Sequence, residues 1–289
     1  MLRTVFKVVL VMFFTIWSLV ASSLSPSGDS LRFKILLTAK MLNDIHLNEC
    51  LINSLDITSN RLILLSTSNQ FYLLGWGGIV PLGKNVTGII SSFAFTPDSL
   101  LMTIRNNELC SIDSLGNLSK LFKLPNPSMG ISAGKYVMYV YDRNTEQKQS
   151  ALYLIAKGGK YLKVFNVPGP ISSVAETNNS ILFATGNALF RFTPANKELK
   201  TIAVLSKNKK IASIAVEPSG NVIYFSTDSV LYALKDSSVV IITDKYAGTL
   251  RYYNGGLMIF NPERKVLIRM EGIEDKIIPK IPSNEPAKN

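Results

Sequence analysis

From Ile52 onward the apolar and polar positions alternate in short runs, and the runs recur. The clearest stretch, Ile211 to Thr243, reads IASIAVEPSGNVIYFSTDSVLYALKDSSVVIIT. A short apolar strand interleaved with small residues is followed by a PSG turn. A β-branched and aromatic strand comes next, then a second tight turn, a third strand and a more ragged fourth. The same grammar opens at Ile171 (ISSVAETNNSILFAT), Ile90 (ISSFAFTPDSLLMTI) and Ile52 (INSLDITSNRLILLS), with TNN, PDS and TSN as the first turns. Period-two alternation bounded by Gly, Pro, Asn and Ser predicts strands joined by tight turns. Weaker units begin near Gly130, with the polar run Asp142 to Ser150 in its second turn, and near Thr249, which shows no fourth strand of its own. No stretch after residue 40 carries sustained helical periodicity.

The units start near residues 52, 90, 130, 171, 211 and 249, a step of about 40. Four strands per step of that length predict an all-β fold, a six-bladed β-propeller of four-stranded antiparallel blades over residues 31–278. Closure is the physical reason, because one such sheet cannot bury both faces alone and a ring of them can. The lone apolar strand Leu31 to Thr38 fits the empty outer place of the sixth blade, and the segment Ile277 to Ile281 competes for it. Rival architectures are a pair of β-sandwiches or a five-bladed ring. Residues 279–289 are expected to be a disordered tail.

The first residues follow a different pattern. Arg3 and Lys7 precede an apolar run from Val8 to Ala21, and the small and polar stretch ASSLSPSGDS follows. That order predicts a secretory signal over residues 1–23 and a linker over 24–30. The run of 14 residues is short of the roughly 20 needed to span a bilayer as a helix. The alternative is an uncleaved signal anchor, so at most one N-terminal membrane segment. The expected location is therefore periplasmic or secreted. An oxidising compartment permits a disulfide between Cys50 and Cys110, and the sequence does not decide whether they meet.

Composition narrows the chemistry. With 47% hydrophobic and 18% charged residues in 289, the chain is neither disordered nor a multi-span membrane protein. Two Cys and one His exclude a disulfide-dense scaffold, a Cys-based zinc site and a His-rich metal centre. Thirty-one Lys and Arg against 20 Asp and Glu give a net charge of +11. Such a surface favours acidic partners. The lysines are spread out, however: the densest groups are Lys207, Lys209 and Lys210, and Lys157, Lys160 and Lys163. Export makes nucleic acid an unsuitable partner and turns attention to anionic glycan or lipid. There is no GxSxG, no GxxxxGK[ST] and no HExxH, and His46 has no marked partner serine. Gly75, Gly77 and Gly78 in GWGG read as a tight turn between third and fourth strands.

The grammar of Ile211 to Thr243 resembles the six-bladed propellers of the NHL-repeat, SMP-30/gluconolactonase-like and TolB-like group. That group holds binding platforms and metal-dependent lactone hydrolases, and the resemblance implies that any ligands converge on the central channel. Asp56, Glu176 and Glu217 lie at or near inner-strand ends and leave room for a weak divalent-metal site. Asp56 and Glu176 fall one position apart in the repeat, a spacing that turns side chains to opposite faces; Glu217 sits in a turn beside Pro218. No cofactor and no catalytic residue is otherwise predicted. Tyr136, Tyr252, Tyr253 and Arg251, with Tyr139, Tyr141 and Lys135 nearby, offer a ligand-binding rim or inter-blade packing. The sequence thus favours an exported, monomeric, non-enzymatic platform for a protein or cell-envelope component. A lactonase- or esterase-like hydrolase using the central channel is the alternative.

Overall fold

The computed structural model describes residues 31–44, 54–57, 63–67, 69–75, 78–82, 89–96, 100–113, 117–126, 128–135, 137–146, 148–155 and 161–273. These form six four-stranded antiparallel sheets. Blade 1 holds β2 (Ser54–Ile57), β3 (Ile63–Ser66), β4 (Phe71–Gly75) and β5 (Gly78–Leu82). Blade 2 holds β6 (Ile90–Phe95), β7 (Leu101–Arg105), β8 (Glu108–Ile112) and β9 (Leu118–Lys123). Blade 3 holds β10 (Met129–Ala133), β11 (Met138–Asp142), β12 (Gln149–Ile155) and β13 (Tyr161–Pro168). Blade 4 holds β14 (Ile171–Glu176), β15 (Ile181–Thr185), β16 (Ala188–Thr193) and β17 (Glu198–Val204). Blade 5 holds β18 (Ser213–Val216), β19 (Ile223–Ser226), β20 (Leu231–Lys235) and β21 (Ser238–Thr243). Blade 6 holds β22 (Thr249–Tyr253), β23 (Gly256–Asn261) and β24 (Val266–Glu271). Its fourth strand is β1 (Arg32–Leu37), which pairs antiparallel with β24 from Arg32 opposite Glu271 to Leu37 opposite Leu267. The N-terminal strand therefore closes the last blade, as the repeat arithmetic requires. The rival segment Ile277 to Ile281 lies outside the described residues.

Closure is visible in the packing. The inner strands contact one another in a complete cycle, β2 to β6, β10, β14, β18, β22 and back to β2. Six apolar clusters fill the six seams between adjacent blades. Strand alternation assigns each side chain to a seam. On β15, Ile181 and Phe183 pack against blade 3 while Leu182 and Ala184 pack against blade 5. On β23, Leu257 and Ile259 face blade 5 while Met258 and Phe260 face blade 1. Both faces of a blade's middle strands are buried, so these strands read as nearly continuous apolar runs. A slip of one residue would exchange the seams.

The turns behave as their residues suggest. Gly75 and Gly78 face each other across the β4–β5 turn. Asn106–Asn107, Asp236–Ser237 and Asn254–Gly255 adopt positive φ at two-residue hairpins. The ragged fourth strands correspond to register shifts in β9, β13, β17, β21 and β1. One element was not anticipated, a short helix α1 (Ala39–Asp44). Six residues are under two turns, too few to show a period. Its start is marked by Thr38, whose Oγ1 accepts from Met41 N at 3.3 Å. Leu42 is fully buried in the seam between blades 6 and 1.

Candidate functional site: the central channel mouth

The inner strands carry a repeated polar device. Ser92 Oγ accepts from Ile131 N at 3.3 Å, Ser173 Oγ from Ile214 N at 3.1 Å, and Ser213 Oγ from Leu250 N at 2.9 Å. In each case a buried hydroxyl on one blade satisfies the equivalent backbone N–H on the next. These bonds place the inner strands in common register and identify the position two residues further on as Ala94, Ala175 and Ala215, with Asp56, Ser132 and Arg251 in the other three blades. Side chains here also point to the following blade. Ser132 Oγ donates to Val174 O at 2.7 Å. Asp56 Oδ2 accepts from Phe95 N at 2.9 Å.

Small residues at four of the six positions leave space, and a cavity of about 170 Å³ opens on five inner strands. Its charged lining is Asp56, Glu176 and Arg251, with Tyr252 and Ser132 beside them. Asp56 Oδ1 accepts from Ile57 N at 2.9 Å and lies 3.4 Å from Arg251 Nε. Arg251 Nη1 donates to Leu250 O at 2.8 Å. The Asp56 side chain is 14% exposed and that of Arg251 28%, so the pair is mostly sheltered. Asp56 thus joins blades 6, 1 and 2, and the pair lies on the seam where the two ends of the ring meet.

Glu176 is one position later in the register and faces the preceding blade. Its Oε2 accepts from Lys135 N at 2.7 Å, and it also bonds the Tyr139 hydroxyl. Burial, then the charge and hydrogen bond of Glu176, hold the Tyr139 phenol well above the usual tyrosine range. A methyl group at Gly134 would overlap Glu176 Oε2 and the Tyr139 ring, so glycine is what admits the carboxylate. Lys135 Nζ reaches Asn178 Oδ1 at 3.4 Å, adding a second tie between the turns of blades 3 and 4.

The structure thus brings Asp56, Glu176, Arg251 and Tyr252 to one cavity. Tyr252 stacks on Tyr224 of blade 5 with ring centroids 5.9 Å apart. Tyr253 is half-buried at the end of β22 and does not line the cavity. Tyr139 and Tyr141 are buried in the seam between blades 3 and 4, which is packing and not rim. Glu217 stays in its turn, where its carbonyl accepts from Gly220 N at 2.8 Å. Tyr136, His46 and Cys50 lie outside the described residues. Cys110 is a buried free thiol whose pKa is raised chiefly by that burial.

A divalent cation needs several converging oxygen donors. Here Asp56 faces a guanidinium, Glu176 is held by an N–H and a phenol, and much of the remaining lining is Ala, Val, Ile and Leu. Among the described residues no group of three His, Cys, Asp or Glu comes together. This donor set does not fit a lactonase-type metal centre.

No family model and no curated protein matches the chain. Solved structures do. A protein assigned as a gluconolactonase superposes with a TM-score of 0.65 at 12% identity, covering 86% of this chain and 93% of that one. A streptogramin B lyase gives 0.58 at 10% identity over 85% and 89%. The extracellular domain of a protein assigned as a one-component system of B. thetaiotaomicron gives 0.56 at 18% identity, covering 75% of this chain and 32% of that one. The likeness is one of fold. The chain spans about a third of the length of the extracellular sensor structures it matches, and the functions of all these proteins differ among themselves.

Proposed function

We propose that this chain is an exported, non-enzymatic six-bladed propeller that serves as a binding platform for a protein or cell-envelope component. The observation that carries the reading is the state of the two channel carboxylates. Asp56 and Glu176 are engaged by Arg251, Phe95 N–H, Lys135 N–H and Tyr139, all of them blade-to-blade contacts. Groups that fasten the ring are poorly placed to activate water or to hold a metal. Lys135 and Asn178, in turns that follow the inner strands β10 and β14, are tied together next to the cavity residue Glu176, and rigidly held turns are where contacts are usually carried. Export rests on the charged, apolar and small-residue order of residues 1–23 and is consistent with the propeller's likeness to extracellular domains. Among the described residues no helix is long and apolar enough to cross a membrane.

The test uses the purified full chain. Metal content is measured, melting is recorded with and without a chelator, and a panel of lactones and esters is assayed. Cross-linking in envelope extract follows. The platform reading expects no stoichiometric metal, an unchanged melting temperature, no turnover, and a specific cross-linked partner that free lysine-rich protein does not displace. Stoichiometric metal with lactone turnover lost in Asp56→Ala would overturn it in favour of the hydrolase.

A further inference from the structure

The antiparallel order of each blade gives the ring two chemically different faces. First and third strands run one way, second and fourth the other. The turns between second and third strands and the connections between blades therefore share one face. The turns after first and third strands share the opposite one. Bonds across the seams tie the first group together: Ile211 N donates to Gly186 O at 2.8 Å, Ser226 Oγ to Gly248 O at 2.6 Å, and Arg264 Nη1 to Lys245 O at 2.9 Å. On that face, seven exposed Lys and Arg stand against four exposed Asp and Glu among the described turn residues. Arg143 and Lys148 lie in the blade 3 turn, Lys207 and Lys210 in the connection to blade 5, and Lys245 and Arg264 beside blade 6. On the opposite face the exposed charges of the described turns balance, with Lys135 and Lys197 against Asp113 and Asp236. The two most exposed large apolar side chains described also belong to the basic face. Ile89, 65% exposed, precedes blade 2, and Val204, 63% exposed, ends β17.

We propose that this basic face docks on an anionic lipid surface and leaves the channel mouth turned away from the membrane. Charge and apolar exposure together select the occupant. Lys and Arg held near an anionic bilayer are drawn to its headgroups, and exposed apolar side chains beside them enter the headgroup boundary. An anionic polysaccharide would match the charges and leave Ile89 and Val204 in water. The basic side chains are spread over several blades and are not gathered in one pocket, which suits a broad layer of headgroups and not a single phosphate. The four acidic side chains among them moderate the attraction, so docking is reversible and weakens with salt. Asp56, Glu176 and Arg251 lie toward the far ends of their inner strands, so their cavity opens on the balanced face. A docked ring keeps that cavity accessible from the aqueous side. Docking presupposes export to an envelope compartment, as the platform reading does, and uses none of the channel residues.

Vesicles of equal parts phosphatidylglycerol and phosphatidylcholine, with brominated acyl chains, test this on the full chain through a tryptophan placed on each face. Val204→Trp reports the basic face. Leu100→Trp, in the first turn of blade 2 on the opposite face, is the reference. Trp17 and Trp76 are common to both and cancel. Bromine should quench residue 204 several-fold more strongly than residue 100, and phosphatidylcholine alone should leave residue 204 unquenched. Lys207→Glu/Lys210→Glu should weaken vesicle binding about ten-fold or more. Lys197→Glu/Lys235→Glu, the same change of charge on the opposite face, should leave it within about two-fold. Equal or reversed quenching at the two positions, or equal weakening by the two charge reversals, would overturn the docking. So would vesicle binding with residue 204 unquenched, the result expected if residues 1–23 alone hold the chain to the bilayer. An anionic polysaccharide that binds the chain where the vesicles do not would overturn it as well. If Val204→Trp unfolds, Ile89→Trp takes its place. Cross-linking to a specific partner can fail while residue 204 is quenched, and the reverse, so docking and the platform reading are tested separately.

Discussion

Asp56→Ala separates the two roles open to the channel carboxylate. In the structure it accepts from Phe95 N at 2.9 Å and pairs with Arg251 Nε at 3.4 Å, with only 14% of its side chain exposed. Removing it leaves a backbone N–H and a sheltered guanidinium without their partner. A hydrogen bond involving a charged group contributes about 1.5–3 kcal/mol. Breaking a fully buried pair costs about 3–5 kcal/mol, and the 28% exposure of Arg251 discounts that figure. The expected loss is therefore about 2–3 kcal/mol, or roughly 4–12 °C in melting temperature for a domain of this size. Urea unfolding followed by tryptophan fluorescence measures it. Arg251→Met added to Asp56→Ala should recover part of the loss, with a coupling energy of about 1–2 kcal/mol, because the orphaned charge is gone. A loss under about 0.5 kcal/mol, or strict additivity of the two substitutions, would refute the clamp. A stable Asp56→Ala protein that had lost bound metal would point to the hydrolase.

Further tests address the neighbouring ties. Gly134→Ala forces a methyl group against Glu176 Oε2 and the Tyr139 ring and should cost about 1–3 kcal/mol in urea. Tyr139 has a raised folded pKa, so its contribution is complete below the unfolded value near 10 and is lost as pH rises beyond it. Tyr139→Phe should therefore flatten the decline of stability above pH 10 that the wild type shows in pH-resolved unfolding. Leu37→Ala, at a fully buried position on the closing strand, should cost about 2–5 kcal/mol. Limited proteolysis should then cut first near residues 31–38.

The architecture was legible because a blade is a local object. Its four strands and three turns follow one another within about 40 residues, so the unit recurs along the chain even though middle strands buried on both faces read as apolar runs and not as alternation. The closing role of Leu31 to Thr38 followed from counting strands. Partnership between blades was not legible. The repeat register put Asp56 and Glu176 one position apart, yet it could not say that Arg251 and Phe95 would meet one and Tyr139 the other. The serines at 92, 173 and 213 looked like small spacers, and only the structure reveals them as fasteners. Tyr139 and Tyr141 appeared as rim candidates because a tyrosine reads alike in a seam and at a mouth. The signal that could have found the serines was their recurrence at one position of three units.

The pairing of Arg32 with Glu271 has a consequence for how the molecule comes into being. The first described strand needs the last described one. A chain emerging from a ribosome or a translocation pore can build blades 1 to 5 in turn, but blade 6 waits until β24 has been made. Until then β1 is a loose apolar strand with charged neighbours, and blade 1 lacks half of its seam with blade 6. Contacts of such long sequence separation form slowly. The final locking step should therefore be the slowest event in maturation and the interval in which a chaperone has most to do.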